Sequence, residues 1–320
     1  MVKTPSRFRL LPVLLRIASA CLALPSAWAG NSLETETTFG NSSWTEALTL
    51  DHHPAPAPDG TRWGGSFEYN FSRSSTTDAT TGTAVTDDSH GFTLGGSVKK
   101  KLEAGAGLYY SVTPAENLTS FGPDAYLAWT LKLGPVPETS DDSDDFRASL
   151  KFKLRGATVH YTQASTTTTR LSGIRRLVAA SESIRQSNYG VDLTFAPRPW
   201  FSVTAGLTQY VYDKAPAQFL TYLDSPLALR LNSSGLSNTV SGFYSNSQSA
   251  SFTLTPLDGL DVVGQLTLYC SATDGSFTRF GKLRVFKELG RDWTLGLGAE
   301  KTVYATSESL GWIASLTLEF

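Results

Sequence analysis

Side chains of opposite character take turns along most of this chain, and that two-residue rhythm limits what it can become. The last twelve residues show it best. Leu310, Trp312, Ala314, Leu316, Leu318 and Phe320 share one parity; Gly311, Ser315, Thr317 and Glu319 share the other, and Ile313 is the exception. A period of two puts each set on its own face of a β-strand. The apolar parity also runs through Trp63, Phe67, Tyr69 and Phe71, through Leu127, Trp129, Leu131 and Leu133, and through Phe201, Val203, Ala205 and Leu207. It continues in Val262, Leu266 and Leu268 and in Trp293, Leu295 and Leu297. Segments of about ten residues with this pattern, separated by turns, are the signature of a membrane-spanning barrel. In hydrocarbon every backbone donor and acceptor needs an internal partner, so such a sheet must close on itself.

The pattern predicts an all-β, antiparallel up-and-down transmembrane barrel of about twelve strands over residues 61–320. The strands are expected near 61–73, 88–100, 104–113, 122–134, 146–162, 187–196, 199–213, 240–255, 260–270, 275–287, 291–304 and 309–320. Turns near 100–104, 196–199, 256–259 and 287–291 are tight, whereas 73–87, 163–186 and 213–239 are long and polar. Short turns at one end and long loops at the other fit the periplasmic and external ends of such barrels. The connection 135–145 is long for the periplasmic side, and 271–274 and 305–308 are short for the external one. A helical turn is expected within 172–186. A bulge is expected at Gly156, because the parity of Phe146 to Leu154 does not carry on to Val159 and Tyr161. Trp63, Trp200 and Trp293 should form the periplasmic aromatic girdle, and Tyr161, Tyr212, Tyr269 and Tyr304 the external one.

The N-terminus has its own logic. Lys3, Arg7, Arg9 and Arg16 precede any acidic residue, two short apolar stretches surround Arg16, and Ala27-Trp28-Ala29 follows Pro25. That reads as a secretory signal peptide over 1–29, with a lipoprotein cysteine at Cys21 as the rival. Without those four basic residues the chain keeps 23 basic against 29 acidic groups, a net charge of −6. The acidic balance argues against nucleic acid as a partner. Of the two cysteines only Cys270 lies beyond the leader, so no intrachain disulfide forms and Cys270 reads as a small apolar wall residue. Residues 30–60, with His52-His53-Pro54-Ala55-Pro56-Ala57-Pro58, read as a periplasmic segment or lumenal plug, in which Thr35 to Gly40 could be a short strand.

The leader, the strand-turn rhythm and the terminal Leu316-Thr317-Leu318-Glu319-Phe320 resemble porin-like outer-membrane barrel proteins of Gram-negative bacteria. The resemblance covers the architecture of 61–320 and points to no named family. It implies that Trp312, Leu316, Leu318 and Phe320 act as the signal read by the barrel-assembly machinery. The implied surroundings are outer-membrane lipid and lipopolysaccharide, which Arg279 and Lys301 could contact from the lipid face.

The opposite parity should line the interior. The basic candidates are Arg62, Lys99, Lys132, Arg147, Lys151, Lys153, Arg155, Lys282 and Arg284; the acidic ones are Glu68, Asp192, Asp261, Glu300 and Glu319. Nine against five makes a positive wall, so the expected function is a channel for passive diffusion of small hydrophilic solutes, anions favoured. A plugged, non-catalytic surface or scaffold barrel stays open as the alternative, since barrels of this size lie between filled and open ones. An outer-membrane hydrolase is the lesser alternative. Asp88-Ser89-His90 looks superficially like the Asp-x-His element of outer-membrane proteases, with Asp87-Asp88 or Asp141-Asp142 as orienting carboxylates. The expected topology separates Asp141 from His90, and catalysis is not expected. No cofactor and no metal are expected, because His52-His53 lacks a third spaced ligand.

Overall fold

A computed structural model describes residues 30–40, 43–77, 84–114, 117–134, 148–171, 174–216, 243–304 and 308–320. The expected leader at 1–29 and the loop at 135–147 lie outside them. The described residues form fourteen antiparallel strands: β1 (Asn31–Gly40), β2 (Ser43–His52), β3 (Arg62–Thr77), β4 (Ala84–Lys99), β5 (Leu102–Thr113), β6 (Leu118–Lys132) and β7 (Ser149–Leu171). The second half comprises β8 (Ile174–Arg198), β9 (Phe201–Tyr212), β10 (Tyr244–Leu257), β11 (Leu260–Ser271), β12 (Phe277–Glu288), β13 (Trp293–Val303) and β14 (Glu308–Glu319). Each strand pairs with its sequence neighbours, and β14 returns to β1 to close the cylinder. The seam is complete to its end: Asn31 N–H donates to the Phe320 carbonyl at 3.0 Å and Phe320 N–H to the Asn31 carbonyl at 3.0 Å.

All twelve expected strands are present, and two more precede them. Residues 31–52, expected to hang free or plug the lumen, instead form the β1–β2 hairpin that carries the seam. The reason they escaped the pattern is chemical. The outward parity of β1 is Leu33, Thr35, Thr37 and Phe39, and that of β2 includes Glu46 among Trp44, Leu48 and Leu50. Alternation is diluted where threonine and glutamate sit among the lipid-facing positions.

Parity and exposure agree around the cylinder. Outward Leu94, Leu108, Leu127, Leu154, Leu193, Leu207, Phe252, Leu266, Leu283 and Leu297 are exposed on the successive strands β4 to β13. An apolar belt this continuous has no place in water and matches the hydrocarbon band of a membrane barrel. Trp63, Trp200 and Trp293 stand exposed at the end that holds both termini of the barrel, as expected of an interfacial girdle. The other girdle differs from expectation. Tyr161, Tyr212 and Tyr269 point into the lumen, and the loop-end aromatics that face outward include Phe39, Phe277 and the Trp44–Phe71 pair. Cys270, a free thiol, faces outward on β11.

Two further expectations are corrected. The stretch 174–186 is strand, not helix: β7 and β8 form a long hairpin whose register holds from Ser149↔Ala196 to Leu171↔Ile174. That unbroken register also removes the bulge at Gly156. The strand keeps its orientation, and Val159 and Tyr161 are apolar because the lumen itself becomes apolar at their height.

Candidate functional site in the barrel lumen

The inward side chains form two charged walls. On the first, Lys282 of β12 donates to Glu36 Oε1 at 2.6 Å and Arg284 donates to Glu36 Oε2 at 2.8 Å. Both side chains cross β13 and β14 to reach β1. They can do so because those strands present small residues inward, Gly296, Gly298, Gly311 and Ser315. A Cβ on Gly298 would stand 2.9 Å from Cγ of Arg284. Glu34, Glu68 and Glu300 share this wall; Glu68 accepts from Asn70 Nδ2 at 2.6 Å.

The second wall spans β5 to β9. Lys151 pairs with Glu103 at 2.8 Å, and Arg155 pairs with Asp192 at 3.2 Å while donating to Thr208 Oγ1 at 2.9 Å. Lys153 lies between them with its ammonium 4.3 Å from the centre of the Tyr126 ring. A cation over an aromatic face is held by the ring quadrupole without giving up its charge. Gly190 makes room for this arrangement: a Cβ there would come 2.7 Å from Nε of Arg155. The wall opens on a cavity of about 370 Å³ bordered by Asp51, Asp124, Tyr126, Lys153, Arg155 and Asp192. A second space of about 210 Å³ continues from Arg155 and Asp192 toward Ser249 and Gln265.

Not all expected lining residues belong to these walls. Arg62 and Lys99 face each other across β3 and β4 at the exposed terminus-side rim, and Lys132 and Glu319 are exposed at the same end. Asp261 accepts a hydrogen bond from Thr255 Oγ1 at 2.5 Å near the β10–β11 turn. Arg147 lies outside the described residues. Sequence reasoning missed Glu34, Glu36 and Asp51 because their strands were not recognised. It missed Glu103, one residue short of an expected strand, and Asp124, whose shared parity with Tyr126 was available as a signal. With these added, carboxylates outnumber basic groups among the described inward residues. The expected positive wall is therefore corrected to a lumen of nearly balanced, slightly acidic charge.

Toward the loop end the β5–β10 sector changes character. Leu118, Val159, Tyr161, Ile184 and Phe243 form a buried cluster, with Tyr212 packed against it. Its polar atoms are satisfied internally: Tyr161 O–H donates to Gln186 Oε1 at 3.2 Å, Gln186 Nε2 donates to Tyr212 Oη at 2.7 Å, and Tyr212 O–H donates to the Tyr244 carbonyl at 2.8 Å. A satisfied network in an apolar surrounding is rigid, so this sector narrows the lumen with fixed side chains.

His90 faces lipid, hydrogen-bonded at 2.9 Å to Tyr69 Oη and tilted against Phe71, and Asp88 forms a bidentate pair with Arg73 at 2.7 Å. Asp141 and Asp142 lie outside the described residues. His52 hydrogen-bonds Asn31 Oδ1 at 2.5 Å, and no group of three His, Cys, Asp or Glu among the described residues could hold a metal ion.

No family model and no curated protein matches the chain. The chain is a transmembrane β-barrel. Among solved structures it is similar to a toluene transporter of Pseudomonas putida, TodX, at 10% identity and TM-score 0.49 over 93% of this chain and 90% of that one. It is also similar to the KdgM porin, at 8% identity and TM-score 0.39 over 90% and 99% of the two chains, and to the NanC porin, at 12% and 0.36 over 91% and 100%. At such low identity these likenesses say nothing of what this barrel carries. The closed, porin-like architecture rests on the chain's own strand pairing.

Proposed function

We propose that this barrel is an outer-membrane channel for passive diffusion of small hydrophilic solutes. The observation that carries the reading is the pair of contiguous lumenal spaces, about 370 and 210 Å³, walled by charged and hydroxyl side chains over glycine. Barrels of about eight strands are filled by their own side chains, whereas this one closes with fourteen and keeps space inside. The aromatic cluster at the loop end favours a narrow, sieving pore over a wide one. The near balance of lumenal charge removes the basis for a strong anion preference. Selectivity is set instead by where along the path each sign stands.

In this reading His90, which faces lipid, and Asp88, which is engaged by Arg73, belong to the outward wall of the barrel. Export by the leader at 1–29 and insertion by the barrel-assembly machinery belong to the same proposal. Trp312, Leu316 and Leu318 face outward on β14, beside the seam with β1, where a reader of the terminal strand would meet them. Planar-bilayer recording of the purified barrel tests the reading. Discrete conductance steps with a weak reversal potential in asymmetric KCl are expected; insertion with no steps, and no swelling of glycerol-challenged liposomes, would reject the channel.

A further inference from the structure

The 370 Å³ cavity is bordered by Lys153, Asp51 and Asp124, charged groups that form no ion pair with one another. Lys153 lies over the ring of Tyr126 and makes no ion pair with any described carboxylate. Asp124 and Asp51, on the same cavity, likewise have no cation within ion-pair distance among the described residues. Arg155 and Asp192 neutralise each other beside them. An ammonium and two carboxylates are thus kept in one confined space without meeting.

Their separation is built in. The Tyr126 ring holds the Lys153 ammonium, and Asp124, two residues before Tyr126 on the same face of β6, lies over Gly107, where a Cβ would collide with the carboxylate. Asp51 stands on β2, at the opposite border of the cavity. A purely anionic solute entering here meets Asp51 and Asp124, and a purely cationic one meets Lys153. Only a solute that carries both signs can satisfy both sets at once, and confinement strengthens each interaction.

From this juxtaposition we infer that the cavity is a binding site for small zwitterions of the amino-acid or dipeptide class. The solute's carboxylate rests against Lys153 and its ammonium against Asp124, or against Asp51 for the longer members of the class. The volume agrees, standing at the small end of the roughly 300–1,000 Å³ usual for ligand pockets. The inference deepens the channel reading by naming its solute class, and it is tested by binding, which needs no ion current.

Titration calorimetry of the detergent-solubilised full chain provides the test. Alanyl-alanine is compared with N-acetyl-alanine, which keeps only the negative charge, and with alaninamide, which keeps only the positive one. Alanyl-alanine is expected to bind at least about tenfold more tightly than either, a difference of about 1.4 kcal/mol. Lys153→Gln and Asp124→Asn should each weaken it by a similar factor while the heat-shifted electrophoretic mobility shows a folded barrel. Equal binding of the three probes by the unaltered chain, or no binding of alanyl-alanine, would overturn the inference. Bilayer steps together with that outcome would leave the channel standing and remove only the solute class.

Discussion

Lys151, Lys153 and Arg155 stand on the same strand and the same face as Val159 and Tyr161, yet the two groups line different kinds of lumen. The first three are held by Glu103, the Tyr126 ring and Asp192 beside an open cavity. The second two are buried with Leu118, Ile184 and Phe243. One strand crosses from a charged chamber into a close-packed aromatic constriction within a few residues. The contrast teaches that parity reports which face a residue occupies but not what fills the space in front of that face.

Three substitutions would break or sharpen this contrast. The largest effect belongs to Ile184→Asp. A carboxylate placed in the close-packed half has no partner, and the cost is on the order of 3 kcal/mol or more. The folded, heat-resistant form on electrophoresis should be lost or should unfold at a clearly lower temperature. An unchanged transition would mean that the constriction is wet.

Asp192→Asn acts on the charged half and should do less. It leaves Arg155 without its carboxylate, costing about 1–3 kcal/mol, and it adds one uncompensated positive charge to the path. The reversal potential in asymmetric KCl should move toward anion preference. A potential that does not move would place the Arg155–Asp192 pair away from the ion path.

Lys301→Gln supplies the baseline outside the lumen. Lys301 pairs with Glu308 at 2.8 Å on the outward face, both side chains more than half exposed. Such pairs contribute about 1 kcal/mol at most, often nothing measurable. Thermal stability and conductance should both match the parent. A large loss would identify an outward partner, such as a lipopolysaccharide phosphate, that depends on this lysine.

Much of the architecture could be read from the residues because a membrane leaves so few choices. Trp63, Leu127, Val203, Leu266, Leu297 and Trp312 repeat every second position beside polar neighbours, and all face outward as that rhythm demands. The lumenal parity of Lys151, Lys153, Arg155, Lys282 and Arg284 was legible for the same reason. The candidate site was legible only in part. Its basic half lies on strands whose apolar neighbours announce them, while Glu36 and Asp51 lie on β1 and β2, where threonine and glutamate blur the alternation. Tyr161 was read as a girdle residue because an aromatic near a strand end can serve either at the lipid interface or inside a narrowing lumen.

Alternation along the chain, by itself, determined that this protein is a closed sheet with a hydrocarbon-facing outside and a polar inside, since unpaired backbone is not tolerated in lipid. The tertiary structure alone decided how many strands close the ring, which carboxylates neutralise which cations, and where aromatics replace water in the lumen. Those outcomes depend on partners brought together from distant parts of the chain, as Glu36 is brought to Lys282 across two intervening strands. A local period carries no information about such pairings.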